Sequence, residues 1–464
     1  MAHGPSGAGK EETSKAVVVR QRRTHRKSRL GCANCKLRGV KCDESKPACS
    51  RCTSAGLSCT YSAQAPALKP AYEQVFSLEP PTAELKVLPP PKLTMMHVLP
   101  SSLPIVGGTG SYVLRQSDKA LVSRFVHNTI LTFGGGEADA NKNRCMMLAN
   151  AHNYLYHIYI GFAQLQDSHI NVVPGSPRPS DGATMARHMY HSATMFKQTL
   201  TELLPLGRRA SSPSSASSSS SSSISSTERD ALWMGAAMLA TACFANVDSL
   251  DPREVWPLRA PDDAMDLDWL RMNQGKDIVW EVADLGRPDS VFRDFYADMA
   301  TAHLPSGLSP IRPHALPRAF YALFGVGEPG SAVETNVYHG AVSYLSQIID
   351  DDVTVEAGAR LFVFPMEVGA GVKRLLRARD PRAMLLLAYW HAKLVEYPAW
   401  WVKFRCIVEG LAIAMHLRRE HADMGDLIWL LERPRQALLA HFWKSKLTQV
   451  WPQEVIDEAE APYV

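Results

Sequence analysis

Six of the nine cysteines in this chain fall within 28 residues, spaced Cys32-x2-Cys35-x6-Cys42-x6-Cys49-x2-Cys52-x6-Cys59. Thiolates at such spacing hold metal ions, and zinc takes four ligands in a tetrahedron. The segment is hydrophilic and rich in lysine, so these are not the free thiols of an apolar core. A disulfide scaffold is not expected either, because Met1 to Glu12 is polar and glycine-rich and lacks the apolar stretch of a secretory signal. That points to a reducing, intracellular setting, where clustered cysteines bind metal. Two separate tetrahedral sites would need eight ligands, and no histidine lies among the six cysteines. Six sulfurs fill those positions if two of them bridge a pair of ions. A single four-cysteine zinc site, with two cysteines idle, is the alternative. The doubled Cys-x2-Cys-x6-Cys unit suits the pair.

Charge surrounds this segment unevenly. Between Lys15 and Tyr61 stand 12 Lys and Arg against Asp43 and Glu44, a formal +10 in a chain whose total is +4. A basic arm on a mildly acidic body is the electrostatic footprint of nucleic-acid binding. Within the cluster the first half carries Lys36, Arg38 and Lys41, whereas Thr53 to Ser58 has no cation. A short helix after Cys35 would carry the DNA-facing charge, with the second half as buttress. Arg38 suits bidentate pairing with guanine O6 and N7. Lys36, Lys41 and Arg51 suit phosphates, which position a protein without reading sequence. Upstream, Arg20, Arg22, Arg23, Arg26, Lys27 and Arg29 form a basic run that reads as both a nuclear import signal and a DNA-backbone arm. The three nearest the cluster, Arg26, Lys27 and Arg29, are counted among the DNA-binding residues.

The run HRKSRLGCANCKLRGVKCDESKPACSRCTSAGLSCTY resembles the fungal Zn2Cys6 DNA-binding domain. More narrowly, its Lys-Ser-Arg-x-Gly-Cys lead-in and Lys-Cys-Asp-Glu are similar to regulators of the sterol uptake control type. The resemblance implies two zinc ions per chain, bridged by Cys32 and Cys49. One ion would take Cys32, Cys35, Cys42 and Cys49, and the other Cys32, Cys49, Cys52 and Cys59. Pro47 matches the family's loop proline between the halves. The family places the first helix in the major groove of double-stranded promoter DNA. Relatives usually carry a basic residue where this chain has Gly39, which leaves Arg38 as the main direct reader.

The elements that must carry this cluster divide the chain into four parts. Residues 1–30 are expected to be a disordered basic tail, 31–61 the Zn2Cys6 domain, and 62–116 a disordered linker rich in proline. No apolar heptad in the linker signals a coiled coil. From Ser117 onward helical periodicity takes over: Val122, Phe125, Val126, Thr129, Ile130 and Phe133 recur every three or four residues, with Ser117 or Asp118 as N-cap. Further helices are predicted near 145–167, 182–204, 231–245, 401–418 and 425–441, and Asp380-Pro381 opens another with proline at its first position. Thr227 and Asp230 form a partial capping box before 231–245. The serine tract between Ser211 and Ser226 cannot bury apolar surface, so 207–227 is expected to be a disordered loop. Alternating strand patterns are scarce, and 117–464 reads as an all-α domain. No apolar run reaches the ~20 residues of a membrane span.

This helical part also resembles, more loosely, the fungal-specific regulatory domain, through Trp269-Leu270, Phe364-Pro365, Asp380-Pro381-Arg382 and Trp400-Trp401. In sterol uptake relatives that domain dimerises and binds a sterol, so a homodimer and a sterol or other lipid ligand are implied here. Other motifs carry less. Gly4 to Lys10 spells a phosphate-binding loop, but Glu11 replaces its Ser or Thr and no strand leads in. Gly325 to Gly330 fits a dinucleotide fingerprint by letter only and reads as a helix–helix loop. His188 and His191 share a helical face as ordinary histidines, and Cys145, Cys243 and Cys406 read as buried thiols. Arg208-Arg209-Ala210-Ser211 resembles a basophilic kinase site. With no catalytic constellation, the expectation is a nuclear transcription factor, shuttling from the cytoplasm, and not an enzyme. A zinc clip for protein contacts is the competing reading, against which the +10 arm argues.

Overall fold

The computed structural model describes residues 30–37, 40–54, 59–61, 99–107, 110–133, 138–171, 182–210, 224–262, 266–302, 311–326, 335–355 and 358–462. The chain falls into two units, Met1–Lys92 and Leu93–Val464. In the first, two short helices, α1 (Ala33–Leu37) and α2 (Ser50–Thr53), each begin directly after a cysteine, Cys32 and Cys49. The amide of Ala33 donates to Thr60 O at 2.9 Å, which ties the end of the unit's described part to its start.

The second unit opens with a small hairpin, β1 (Ser102–Pro104) paired antiparallel with β2 (Ser111–Val113), Leu103 opposite Tyr112. Its helices follow as α3 (Gln116–Arg124), α4 (Ala138–Ala151), α5 (Tyr154–Ile170), α6 (Gly182–Ala210), α7 (Ser226–Ala245), α8 (Asp268–Ala283) and α9 (Arg293–Ala302). Then come α10 (Arg318–Leu323), α11 (His339–Ile348), α12 (Ala359–Glu367), α13 (Ala370–Arg377), α14 (Pro381–Leu394), α15 (Trp400–Glu420), α16 (Gly425–Phe442) and α17 (Gln453–Glu460). The described part of 117–464 is helical with connecting turns, as the periodicity predicts. None of these helices is long and apolar enough to cross a membrane.

The sequence explains the centre of this body. Asp380 accepts from the amide of Ala383 at 2.9 Å and Pro381 fixes the first turn, so α14 starts where predicted. From Ala383 to Leu394 every residue of α14 is buried, and α15 and α16 pack against it. A helix apolar over most of its circumference must lie inside. Gly410 lets α15 approach α16: a Cβ there would stand 2.6 Å from Leu438 Cδ1. An ion pair sits within this core. Arg405 Nη1 donates to Glu409 Oε2 at 2.9 Å, and Arg405 Nε and Nη2 reach Phe244 O and Asn246 O at 2.7 and 2.9 Å. Trp269 Nε1 donates to Glu409 Oε1 at 3.3 Å, so one pair joins the C-terminal end of α7 to α8 and α15.

Several local expectations change. The span 62–116 does not run as linker to its end, because Leu103 is wholly buried in the helical core and Pro104 O accepts from His157 Nε2 at 2.9 Å. Three-residue strands around a turn with Gly107 at φ +91° are too short to show alternation. Neither Ser117 nor Asp118 caps α3; the cap position is Arg115, two residues before Ser117, and Asp118, in the first turn, accepts from the amide of Arg115 at 2.8 Å. The predicted helix at 145–167 is two, α4 and α5, parted at His152 and Asn153. The true capping box of α7 is Ser225 with Glu228: the Glu228 amide donates to Ser225 Oγ at 3.2 Å and the Ser225 amide to Glu228 Oε2 at 2.8 Å. Asp230 is instead buried against Arg287 Nη2 at 2.6 Å, Ser290 Oγ and the Val291 amide. The helix α6 also runs through residues 207–210, which the serine-rich composition assigns to the loop.

Candidate metal centre and nucleic-acid interface

Local chain geometry brings all six cysteines of the first unit to one point. Cys32, Cys35, Cys42, Cys49 and Cys52 are buried and Cys59 is partly so. Among the described residues, the apolar groups packed together here are these cysteines and Tyr61. Cysteine sulfur supplies most of the buried apolar centre of the described part of this unit. Two quartets, Cys32–Cys35–Cys42–Cys49 and Cys32–Cys49–Cys52–Cys59, each have their sulfurs within 4.8 Å of one another, and they share Cys32 and Cys49. Cys32 Sγ stands 3.8 Å from Cys49 Sγ and 3.5 Å from Cys52 Sγ, and Cys35 Sγ is 3.7 Å from Cys49 Sγ. Four sulfurs held about 2.3 Å from a central zinc lie about 3.8 Å apart along the tetrahedron's edges. The residues present therefore fit a pair of such ions. No other group of His, Cys, Asp or Glu among the described residues converges in this way.

Backbone donors surround the sulfurs. The amides of Cys35, Glu44 and Cys49 point at Cys32, Cys42 and Cys59 Sγ at 3.4, 3.4 and 3.3 Å. Burial acts to raise the thiols of both Cys32 and Cys49. At Cys32 the Cys35 amide and the thiols of Cys52, Cys35 and Cys49 outweigh it, and at Cys49 the Cys52 amide does so first, so both are held below the ordinary thiol range. Cys35 is pushed up to about 12, by burial and then by its hydrogen bonds to Cys32 and Cys49. The two sulfurs common to both quartets are thus ones on which negative charge is favoured.

Two residues that the sequence reading passes over support the cluster. Asp43 accepts from the Ser50 amide at 3.1 Å and Ser45 Oγ at 2.9 Å, and the bonds from Ser50 hold its carboxyl down to about 2. Tyr61 Oη donates to Ser45 O at 2.8 Å, and Lys46 Nζ stands 5.8 Å above its ring. The Cys-Asp-Glu lettering and the tyrosine two places after Cys59 were the available signals.

Of the sequence-predicted DNA contacts, Lys36, Lys41 and Arg51 are exposed, and no ion pair engages them among the described residues. Lys36 sits in the last turn of α1 and Arg51 in α2. Arg38, Gly39, Arg26, Lys27 and Arg29 lie outside the described residues, as do 1–29, most of the Pro-rich stretch, Gly4 to Lys10 and Ser211.

The helical unit contains a cavity of about 150 Å³ between α4, α7, α8, α12 and α14. His188 and His191 are buried, as core histidines would be. His188 Nδ1 is 2.7 Å from His157 Nδ1, and His191 Nδ1 accepts from the Val106 amide at 3.2 Å. Cys145 is buried and its thiol is pushed up to about 12 by that burial. Cys406 is buried as expected, whereas Cys243 is only partly buried and donates to Asp268 Oδ2 at 3.5 Å.

Comparison with known proteins agrees with this geometry. Residues 30–67 match the fungal Zn(2)-Cys(6) binuclear cluster domain. Sterol uptake control protein 2 of Saccharomyces cerevisiae is 58% identical over 41 residues, 9% of this chain and 4% of that protein. A Zn(2)-C6 fungal-type transcription factor of Gibberella zeae is 51% identical over 41 residues, 9% of this chain and 8% of that protein. Against these two the chain matches less than a tenth of the relative. The Zn(2)-C6 fungal-type transcription factor afumD of Aspergillus fumigatus is 24% identical over 383 residues, which cover 78% of this chain and 84% of that one. Six cysteines in two quartets with a shared pair, a matching segment and similar relatives lead to one conclusion: residues 30–67 are a fungal Zn(2)-Cys(6) binuclear cluster domain, of the kind that holds two zinc ions.

Proposed function

We propose that this protein is a sequence-specific DNA-binding regulator of RNA polymerase II transcription. The observation that carries the reading is the convergence of the six cysteines together with Lys36, Lys41 and Arg51, which are exposed and engaged by no ion pair among the described residues. In this reading Cys32, Cys35, Cys42 and Cys49 hold one zinc ion, and Cys32, Cys49, Cys52 and Cys59 the other. When bound, zinc supplies the cross-links that an apolar core supplies elsewhere. The cysteines fix α1, Lys36 and Lys41 position it on phosphates of the major groove, and Arg38 reads guanine. Arg51 and the arm residues Arg26, Lys27 and Arg29 add phosphate contacts, and the arm also serves nuclear import, with shuttling from the cytoplasm. The names of the relatives support a regulator and not an enzyme.

The helical body acts as the regulatory part in this reading, through dimerisation and ligand sensing. Its cavity supports ligand sensing, and the sterol-type resemblance of the cluster implies a sterol or other lipid. Selection of bound sequences from random DNA by the full chain tests the proposal. A recurrent half-site, lost on chelation, is the expected result. Two zinc ions with no sequence selectivity would favour a clip for protein contacts instead.

A further inference from the structure

The cavity of the helical body has a composition that ordinary core does not explain. Its wall is aromatic, with Trp233, Phe244, Phe292, Trp390 and Trp401 contributing rings. Among these stands a cation, Arg144 of α4, whose guanidinium carbon lies 5.1 Å from the ring centre of Phe292. Arginine carries five N–H donors. One of them meets Asn141 Oδ1 at 2.9 Å, and no carboxylate pairs with the group among the described residues. The acids that act on it through space, Asp294 and Asp230, do not bond to it, and Asp230 is engaged by Arg287 at 2.6 Å. Burial disfavours the guanidinium charge, a cost that an anionic ligand would offset. Lys276 of α8 is a second cation on the wall. Thr241, a neutral polar group there, already donates to Ala237 O at 2.8 Å.

Size narrows the occupant. A dry apolar cavity of about 150 Å³ admits a benzene-sized molecule, and drug-sized ligands take about 300–1,000 Å³. At about 150 Å³ this cavity matches the first class. We propose that it binds a compact, ring-bearing organic anion, with the ring among Trp233, Phe244, Trp390 and Trp401 and the anionic group on Arg144. Flat rings meet the aromatic wall through offset and edge contacts, and a carboxylate meets the guanidinium through paired charge-assisted hydrogen bonds. The inference rests on the ligand-sensing reading of the helical body and replaces a sterol with a smaller acid.

The test uses the full chain, with tryptophan fluorescence and thermal shift as readouts. Phenylacetate is the anionic probe, phenylacetamide its neutral counterpart, and ergosterol in cyclodextrin the large apolar one. Phenylacetate should bind at least about tenfold more tightly than phenylacetamide, the effect of one charge-assisted contact. Arg144→Gln should abolish that preference while leaving phenylacetamide binding unchanged. Ala237→Leu, which fills the cavity from α7, should weaken both; if Arg144→Gln melts early, that loss places the probes in the cavity and the preference of the unaltered chain for phenylacetate tests the anion. Equal binding of the two phenyl probes, or a preference that survives Arg144→Gln, overturns the anion while ligand sensing stands. Binding of ergosterol alone overturns the compact acid in favour of the lipid. If no probe binds, both readings fall.

Discussion

The two units of this chain reach order by opposite means. The cluster unit places five buried cysteines, a partly buried sixth and Tyr61 where a core should be. The helical body is built around α14, buried from Ala383 to Leu394 and packed on α15 and α16. Apolar burial is non-directional and forgiving of volume-conserving changes. Metal ligation is neither, because each sulfur has one place to be. The difference teaches where each unit is fragile: the first at its ligands, the second at the few charges inside it.

The largest effect should come from the sulfurs. If the two quartets hold one ion each as proposed, Cys32→Ser or Cys49→Ser would take a ligand from both, and metal analysis should find almost no zinc and no DNA binding. Cys59→Ser touches one quartet and should leave about one ion per chain. Equal zinc loss in all three variants would break the distinction between shared and terminal sulfurs. Thermal unfolding of the helical body should be unchanged in each.

The converse comes next. Glu409→Ala strands Arg405 inside the body, and removing one partner of a buried pair costs about 3–5 kcal/mol. Calorimetry should show an early transition with zinc content intact. A change below about 1 kcal/mol, the range of an exposed pair, would mean that the pair carries little of the junction between α7, α8 and α15.

Acid should also separate the units' behaviour. Burial holds His157 and His188 down to about 4, and each faces the other, His191 and Arg187, with Asp118 near His188 opposing the shift. Buried His391 is held down to about 3. These rings are neutral in the fold and take a proton in the unfolded chain below about pH 6.5. Their contribution is complete above that pH and is lost as pH falls from about 6.5 towards about 4. The melting temperature of the helical body should decline across that window, less steeply in His157→Gln. A flat profile would contradict the neutral, buried rings.

At the DNA the effects are smaller. Arg38→Ala should cost about 1–3 kcal/mol and relax selectivity at one base pair. Lys36→Ala should weaken all sequences alike and reduce the salt slope by about one. Binding titrations at several salt concentrations distinguish the two.

What could be read in the sequence follows the same division. Ligand spacing is local, so the cysteines and their doubled unit were visible, as was the start of α14 in Asp380-Pro381. Long-range choices were not. Ser225 and Glu228 outcompete Thr227 and Asp230 because Arg287, far along the chain, claims Asp230. The hairpin at Ser102–Val113 depends on a place for Leu103 in the core, which a proline-rich composition does not reveal. Arg405 and Glu409, four residues apart, look like a surface pair until α7 and α8 close over them. The aromatic wall around Arg144 is assembled from several helices, and no short motif spells it.

Two zinc sites that share sulfurs are proposed to order the cluster and to present its cations to DNA. Stepwise removal of zinc from the full chain, with metal content and DNA affinity followed together, tests this most directly. The expected course is two zinc ions per chain at the outset and loss of selective binding as they leave. Selective binding that persists in the metal-free chain would contradict it.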